Sequence, residues 1–161
     1  FEDLRDVILV GTSIGGVALG HAAQEVPERI ARIVLIDAIL PVPGETLAQI
    51  GNRAPWDASR LTYGGKHAFT DIEQPELREW AKARYTEQPR IPADGPLDLA
   101  KFWSLKWKAD VLRCTQHASP PEAHQRRNAE RLGARYSTLD AGHYPMLTHV
   151  DELTRYLLEF A

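Results

Sequence analysis

The sequence predicts an α/β domain in which a parallel sheet is covered by helices on both faces. A buried strand, a helix and a second buried strand follow one another within residues 6–36, and regular elements resume at residue 111. The region between them has a different composition. A strand, a helix and a strand within about 30 residues form a βαβ unit, and such units build parallel sheets.

The first two predicted strands are short apolar runs. Residues 7–10, VILV, form a continuous β-branched run, which is typical of a strand covered on both faces. Apolar residues then recur near helical spacing over residues 14–26, and Pro27 predicts the end of this helix. Residues 33–36, IVLI, predict the second strand, which ends at Asp37.

The last third of the chain repeats this alternation. Residues 111–114 predict a third strand, residues 121–132 a helix, and residues 136–139 a short fourth strand. A final helix is predicted over residues 150–160, where four apolar residues share one face: Leu153, Tyr156, Leu157 and Phe160.

The middle of the chain, residues 41–108, predicts a lid. It holds most of the prolines and all four tryptophans, and residues 74–88 predict an amphipathic helix within it. We expect an apolar, partly aromatic substrate pocket. Its predicted lining residues are Trp80 and Trp103 of the lid, with Met146 and Leu147, and further aromatic candidates are Trp56, Tyr63, Tyr85 and Phe102. The alternative for any single tryptophan is that it fastens the lid to the body.

Composition excludes several classes of protein. The 161 residues suffice for a sizeable core, and the net charge of −3 without a basic run argues against a nucleic-acid binder. No apolar run approaches the roughly 20 residues that span a bilayer. The single cysteine, Cys114, cannot form an internal disulfide, and the usual metal-ligand spacings are absent. We therefore expect a cytoplasmic protein with no metal or other cofactor.

The segment GTSIG, residues 11–15, places a serine between two glycines where the first strand turns into the first helix. A nucleophile needs its side chain held out of the sheet on a tight, strained turn. Glycines remove the Cβ atoms that would collide there, and the helix N-terminus faces a developing oxyanion. The segment predicts Ser13 as a nucleophile. The alternative is a glycine-rich turn that only packs tightly or binds phosphate.

A candidate general base comes later, in the segment LDAGHYPML. His143 follows the short fourth strand and precedes the loop to the last helix. A base for serine has to lie at the same edge of the sheet as the nucleophile, and the order serine first, histidine last fits this placement. We predict His143 as the base. The remaining histidines considered, His21, His67, His124 and His149, are interpreted as surface residues.

Three segments, GTSIGG, IDAILPVPGE and GHYPML, resemble the α/β-hydrolase family. The likeness is to its small esterases, in the neighbourhood of plant-type methyl esterases and hydroxynitrile lyases, and it runs across the whole chain. It implies an ester-hydrolysing triad of serine, histidine and an acid, with Ser13 attacking and His143 as base. It also implies that the Ile14 backbone N–H supplies one half of the oxyanion hole.

The chain departs from this family at the acid. The family usually has an aspartate just after the third of these strands, where this chain has His117. Some relatives, including haloalkane dehalogenases, place the acid after the strand that follows the nucleophile, and Asp37 stands there. We predict Asp37 as the acid, and the alternative is a weakened or absent acid. Asp140 is too close along the chain to orient His143 easily.

The resemblance implies a division into three parts. Residues 1–40 form the core part with the nucleophile, residues 41–108 the lid, and residues 109–161 the C-terminal core part with the histidine. The family has further strands before the nucleophile, with the loop that donates the second oxyanion N–H. We therefore expect a complementary N-terminal half of the same fold as a partner, which would cover an otherwise exposed apolar sheet edge.

The leading hypothesis is a cofactor-independent serine hydrolase for a small, apolar carboxylic ester or lactone. Two alternatives stay open: a lyase or cyclase that uses the same serine and histidine, and an inactive member of the fold that binds a small ligand or a partner chain. Covalent reactivity of Ser13 toward a fluorophosphonate distinguishes them, because only an activated nucleophile reacts readily.

Overall fold

The computed structural model describes residues 2–50, 68–86 and 97–160 with their side chains, and the backbone of residues 51, 62–63 and 88–89. Trp56 and His67 lie outside these residues, as does the side chain of Tyr63.

The described residues contain six strands, which form two sheets. The strands are β1 (Val7–Thr12), β2 (Ile30–Ile36), β3 (Thr62–Tyr63), β4 (Gln88–Pro89), β5 (Ala109–Cys114) and β6 (Arg135–Leu139). The main sheet has the order β1-β2-β5-β6, and all its neighbouring strands are parallel. The short strands β3 and β4 pair antiparallel between β2 and β5 in the sequence. The predicted parallel sheet is confirmed.

In the part of the chain that the structure describes, seven α-helices accompany the strands: α1 (Gly15–Glu25), α2 (Leu47–Gly51), α3 (Pro75–Arg84), α4 (Ala100–Ser104), α5 (Glu122–Leu132), α6 (Pro145–Thr148) and α7 (Val150–Leu158). Pro75 opens α3 at a position where its missing N–H costs nothing. Gly133 ends α5 with φ +60°, a conformation that glycine adopts without strain. The four helices predicted from periodicity, α1, α3, α5 and α7, are confirmed. Among the described helices, none has the length and apolar character needed to cross a bilayer.

The main sheet separates two cores. Ile33 and Leu35 of β2 pack on one face with residues of α1, α4 and α5. Val34 and Ile36 pack on the other face with Leu153 of α7. Each such fully buried aliphatic side chain contributes about 1.5–3 kcal/mol. The alternation along β2 explains why its sequence is a continuous apolar run.

Strand β1 lies at one edge of the main sheet. Within the described part of the chain it pairs with β2 alone, and Val10 is 44% exposed. The complementary N-terminal half expected at this edge, and the three-part division of the chain, stay predictions.

A polar face of α5 holds the segment that follows β2. The backbone N–H of Leu40 donates to Nε2 of His124 (3.2 Å), and Asn128 donates to the Leu40 carbonyl (3.0 Å). Burial and the nearby Arg127 guanidinium lower the pKa of His124 to about 4, so the ring stays neutral and can accept. His124 is only 6% exposed, and its interpretation as a surface histidine is therefore wrong.

Two adjacent glycines at the start of α1 provide a test of the packing. A Cβ on Gly16 would collide with the Ile39 carbonyl oxygen, whereas a Cβ on Gly15 would meet nothing within 4 Å. We expect Gly16→Ala to lower the free energy of unfolding by about 1–3 kcal/mol. The matched control Gly15→Ala should keep or slightly raise it, since alanine favours helix. Urea unfolding measures both, and equal stabilities would contradict this packing.

The buried His124 predicts a pH dependence of stability. Its folded pKa of about 4 lies below the reference value of 6.5, so the unfolded chain takes up a proton before the folded protein does. The stabilisation is complete above about pH 6.5 and is lost as the pH falls through about 4, by up to about 3 kcal/mol. His124→Gln keeps a side-chain acceptor but cannot titrate. Its unfolding free energy should depend less on pH between 6.5 and 4, and parallel profiles would refute the assignment.

Candidate active site

Four chemically reactive residues follow the four strands of the main sheet. Ser13 comes directly after β1, Asp37 directly after β2, His117 shortly after β5 and His143 shortly after β6. Because all four strands are parallel, their carboxyl ends meet at one edge of the sheet. Ligands of open α/β sheets bind at this edge, and the topology therefore defines the candidate site.

Ser13 occupies a strained turn between β1 and α1. Its φ is +52°, in the left-handed region that non-glycine residues rarely adopt. Its carbonyl accepts hydrogen bonds from the backbone N–H groups of Gly16 (3.1 Å) and Ile39 (2.8 Å), which fix the turn against the segment after β2. Ile14 is the N-cap of α1, and within the described residues no side chain caps this helix N-terminus.

His143 is hydrogen-bonded to Asp37. Nδ1 of the imidazole lies 2.6 Å from Oδ2 of the carboxylate, which is fully buried. A carboxylate in this position holds Nδ1 protonated and leaves Nε2 with the lone pair. The structure thus brings together the predicted base and the predicted acid, which lie 106 residues apart in the sequence.

A second histidine shares the same carboxylate. Nδ1 of His117 lies 2.9 Å from Oδ2 of Asp37, and the His117 and His143 rings are 4.2 Å apart between centroids. Each of these three residues offers one nitrogen or oxygen atom that could bind a metal ion, and these atoms all lie within 4.8 Å of one another. The histidine at the family's usual acid position therefore contacts the acid candidate from the neighbouring strand.

Gln125 of α5 completes the surroundings of Asp37. Its Nε2 donates to Oδ1 (2.8 Å), the carboxylate oxygen that the histidines leave free. Burial raises the pKa of the Asp37 carboxyl, but the hydrogen bonds from His117, His143 and Gln125 outweigh burial and leave the pKa below its usual value. Asp37 is therefore ionised at neutral pH.

The segment before α3 contributes an acidic residue that the sequence did not indicate. Oδ2 of Asp71 accepts a hydrogen bond from the backbone N–H of His143 and occupies the space that a Cβ on Gly142 would need. Next to it, the rings of Phe69 and Tyr144 lie 4.6 Å apart. Residues 69–71 thus pack directly on the histidine loop. An isolated aspartate in an irregular segment carries no periodicity or motif, so nothing in the sequence singled it out.

Asp140 lies near the site but serves another purpose. Its carboxylate accepts hydrogen bonds from Thr115 Oγ1 (2.8 Å) and Gln116 Nε2 (3.3 Å), which links the loops after β5 and β6. Within the described residues it makes no hydrogen bond with His143. This placement agrees with the expectation that Asp140 does not orient the base.

The side chain of the nucleophile candidate, Ser13, is separate from the Asp37–His143 pair. Among the side chains that the structure describes, Ser13 Oγ makes no hydrogen bond with His143. Ser13 and the Asp37–His143 pair share one sheet edge and are connected through the Ile39 backbone. Hydrogen bonds between nucleophile and base are often long without substrate and tighten in the complex.

The predicted pocket residues divide into two groups. Trp103 is half-buried against the core, and its Nε1 donates to the Pro41 carbonyl (2.7 Å), so it holds the segment that follows β2. Trp80 is 48% exposed on α3. Met146 (37% exposed) and Leu147 lie on α6, directly after the histidine loop. Of the four predicted pocket residues, Met146 and Leu147 are therefore the two that lie beside His143.

Several known proteins are similar to this chain in sequence or in fold. The chain is 28% identical to the carbendazim hydrolyzing esterase of Nocardioides, over 97% of the chain and 72% of that protein. It is 28% identical to salicylic acid-binding protein 2 of Nicotiana tabacum, over 96% of the chain and 70% of that protein. An extracellular alpha/beta-hydrolase from a Paenibacillus species has the same fold, with a TM-score of 0.80 at 23% identity over 99% of the chain and 74% of that structure.

A match to a family model covers the chain to a similar extent. The model described as the alpha/beta hydrolase family matches residues 1–155, which is nearly the whole chain. The matched residues include the parallel sheet and the helices on both of its faces that are described above. The chain belongs to the alpha/beta hydrolase family.

Proposed function

We propose that this protein is a serine esterase that cleaves small, apolar carboxylic esters or lactones through Ser13, His143 and Asp37. The observation that carries the proposal is the 2.6 Å contact between His143 Nδ1 and the buried Asp37 carboxylate. A buried, ionised carboxylate on Nδ1 fixes the imidazole tautomer that a general base for serine needs.

The proposed reaction has two halves. His143 Nε2 takes the proton of Ser13 as Oγ attacks the ester carbonyl, and the backbone N–H of Ile14 stabilises the oxyanion. The imidazolium then protonates the leaving alcohol, which leaves an acyl group on Ser13. In the second half, His143 activates a water molecule that hydrolyses this acyl-enzyme. Asp37 stabilises the imidazolium throughout and keeps its own charge.

Three observations support this assignment. The left-handed backbone of Ser13 resembles the strained turn that presents a nucleophile above an α/β sheet. The uncapped N-terminus of α1 begins at the next residues, where a negative charge is favoured. One of the relatives is named an esterase, the carbendazim hydrolyzing enzyme, which supports ester cleavage as the class of reaction.

The direct test is covalent labelling by a fluorophosphonate, read by intact mass. We expect one adduct on the wild-type protein and on the matched control Ser104→Ala, an exposed serine at the end of α4. Ser13→Ala should give no adduct, and its hydrolysis of p-nitrophenyl butyrate should fall by at least about a thousandfold. Labelling of Ser13→Ala, or failure of the wild-type protein to react, would contradict a serine esterase.

The acid is tested by a pair of isosteric substitutions. Asp37→Asn presents an amide to Nδ1 and favours the wrong imidazole tautomer, so we expect kcat for p-nitrophenyl butyrate to fall by up to about ten-thousandfold. The control Asp140→Asn keeps an acceptor for Thr115 and should change kcat little. Circular dichroism confirms folding of both. A large loss of kcat in Asp140→Asn with normal turnover in Asp37→Asn would contradict the assignment of Asp37 as the acid and point to Asp140.

A further inference from the structure

We infer that Asp37, His117 and His143 form a binding site for a divalent transition-metal ion of the Zn²⁺ or Co²⁺ type, and that a bound ion inhibits the protein by occupying His143. The existence of the site is independent of the esterase activity. The inhibition rests on the proposed function, because it concerns His143 as a base.

The donor set carries the choice of metal. Two imidazole nitrogens and one carboxylate oxygen lie within 4.8 Å of one another, on loops that follow three adjacent strands. Imidazole nitrogen with a single carboxylate suits Zn²⁺, Co²⁺ and their first-row neighbours. Mg²⁺ and Ca²⁺ prefer oxygen ligands, whereas two of the three ligand atoms in this cluster are imidazole nitrogens.

The distances between the candidate ligand atoms are close to those between neighbouring ligand atoms around a coordinated ion. Nδ1 of His143 and Nδ1 of His117 lie 2.6 Å and 2.9 Å from Asp37 Oδ2. In a tetrahedral zinc site neighbouring ligand atoms are about 3.3 Å apart, so each nitrogen has to withdraw by roughly half an ångström. His117 can make this adjustment, since its side chain is 29% exposed on the loop after β5. The partial exposure of both histidines also leaves an entry path for the ion.

The surroundings favour a cation at this point. Gln125 donates to Oδ1 of Asp37 and thereby turns Oδ2 toward the two rings, as outer hydrogen bonds do in metal sites. Asp71 adds a second carboxylate at the His143 backbone. With Asp37 it would offset the charge of a divalent ion. The remaining coordination position would hold water, because the histidines are the exposed side of the cluster.

Metal binding and base catalysis require opposite tautomers of His143. A neutral imidazole carries one N–H, which is now on Nδ1 and directed at Asp37. An ion on Nδ1 moves this proton to Nε2, so that no proton is released and no electron is transferred. Nε2 is then a donor and can no longer accept the proton of Ser13. A bound ion therefore prevents His143 from acting as the base without contacting Ser13.

The first experiment measures binding apart from turnover. Co²⁺ is titrated into the metal-free full chain carrying Ser13→Ala, with visible absorption and equilibrium dialysis as readouts. We expect one ion per chain, displaced by Zn²⁺ but not by excess Mg²⁺. His117→Gln in the same background should weaken binding at least about tenfold. The control His21→Gln removes a half-exposed histidine one helical turn from Glu25 and should leave the affinity unchanged.

A second readout needs no substitution at the site. Nitrogen NMR of the six ¹⁵N-labelled histidines reports which ring atoms bind Zn²⁺. We expect two Nδ1 signals to shift and the other four rings to stay unperturbed. No Co²⁺ binding, equal affinity in His117→Gln, or Zn²⁺ shifts on other histidines would overturn the inference.

Inhibition is measured on the wild-type protein. Zn²⁺ should suppress hydrolysis of p-nitrophenyl butyrate, EDTA should restore it, and His117→Gln should raise the inhibitory concentration at least about tenfold relative to wild type. Binding without any hydrolysis by the metal-free protein would refute the proposed function and retain the site. Hydrolysis that Zn²⁺ does not affect, without Co²⁺ binding, would refute the site and retain the function.

Discussion

The buried carboxylate of Asp37 is the constraint on which the site depends. A charge with no exposed surface costs several kcal/mol unless it is paired and hydrogen-bonded. Three donors meet this need: His143, His117 and Gln125, from the loop after β6, the loop after β5 and helix α5. One charge therefore fixes the relative positions of three elements whose donors lie 80 to 106 residues from it in the sequence.

Helix α5 gives up apolar packing to support this arrangement. Its buried face carries His124, Gln125 and Asn128, which bind the segment from Asp37 to Leu40. Near the middle of the helix, Arg127 forms a two-point ion pair with Glu45 (2.9 and 2.7 Å). The segment after β2 is thereby held at several points. These bonds replace part of the hydration that is lost, while Gln125 Oε1 and Asn128 Oδ1 have no partner within the described residues.

Periodicity and strand order made much of this predictable. The apolar runs of β1 and β2 and the serine between glycines are local patterns, and they predict Ser13. The position of His143 late in the chain and after a strand predicts the base, whereas Asp37 as the acid follows from the family resemblance. The contacts of His117, Gln125 and Asp71 depend on where separate loops meet, which no local pattern encodes. His124 was misassigned because a lone histidine does not reveal a buried backbone partner. The available signal was the polar character of His124, Gln125 and Asn128, which share one face of α5.

The bond from the Ile39 N–H to the Ser13 carbonyl makes the turn after β1 and the segment after β2 one mechanical unit. Gly16 packs against the carbonyl of the same residue. A change in either turn is therefore transmitted to the other. An engineer who transplants the GTSIGG turn from a relative has to move residues 37–40 with it.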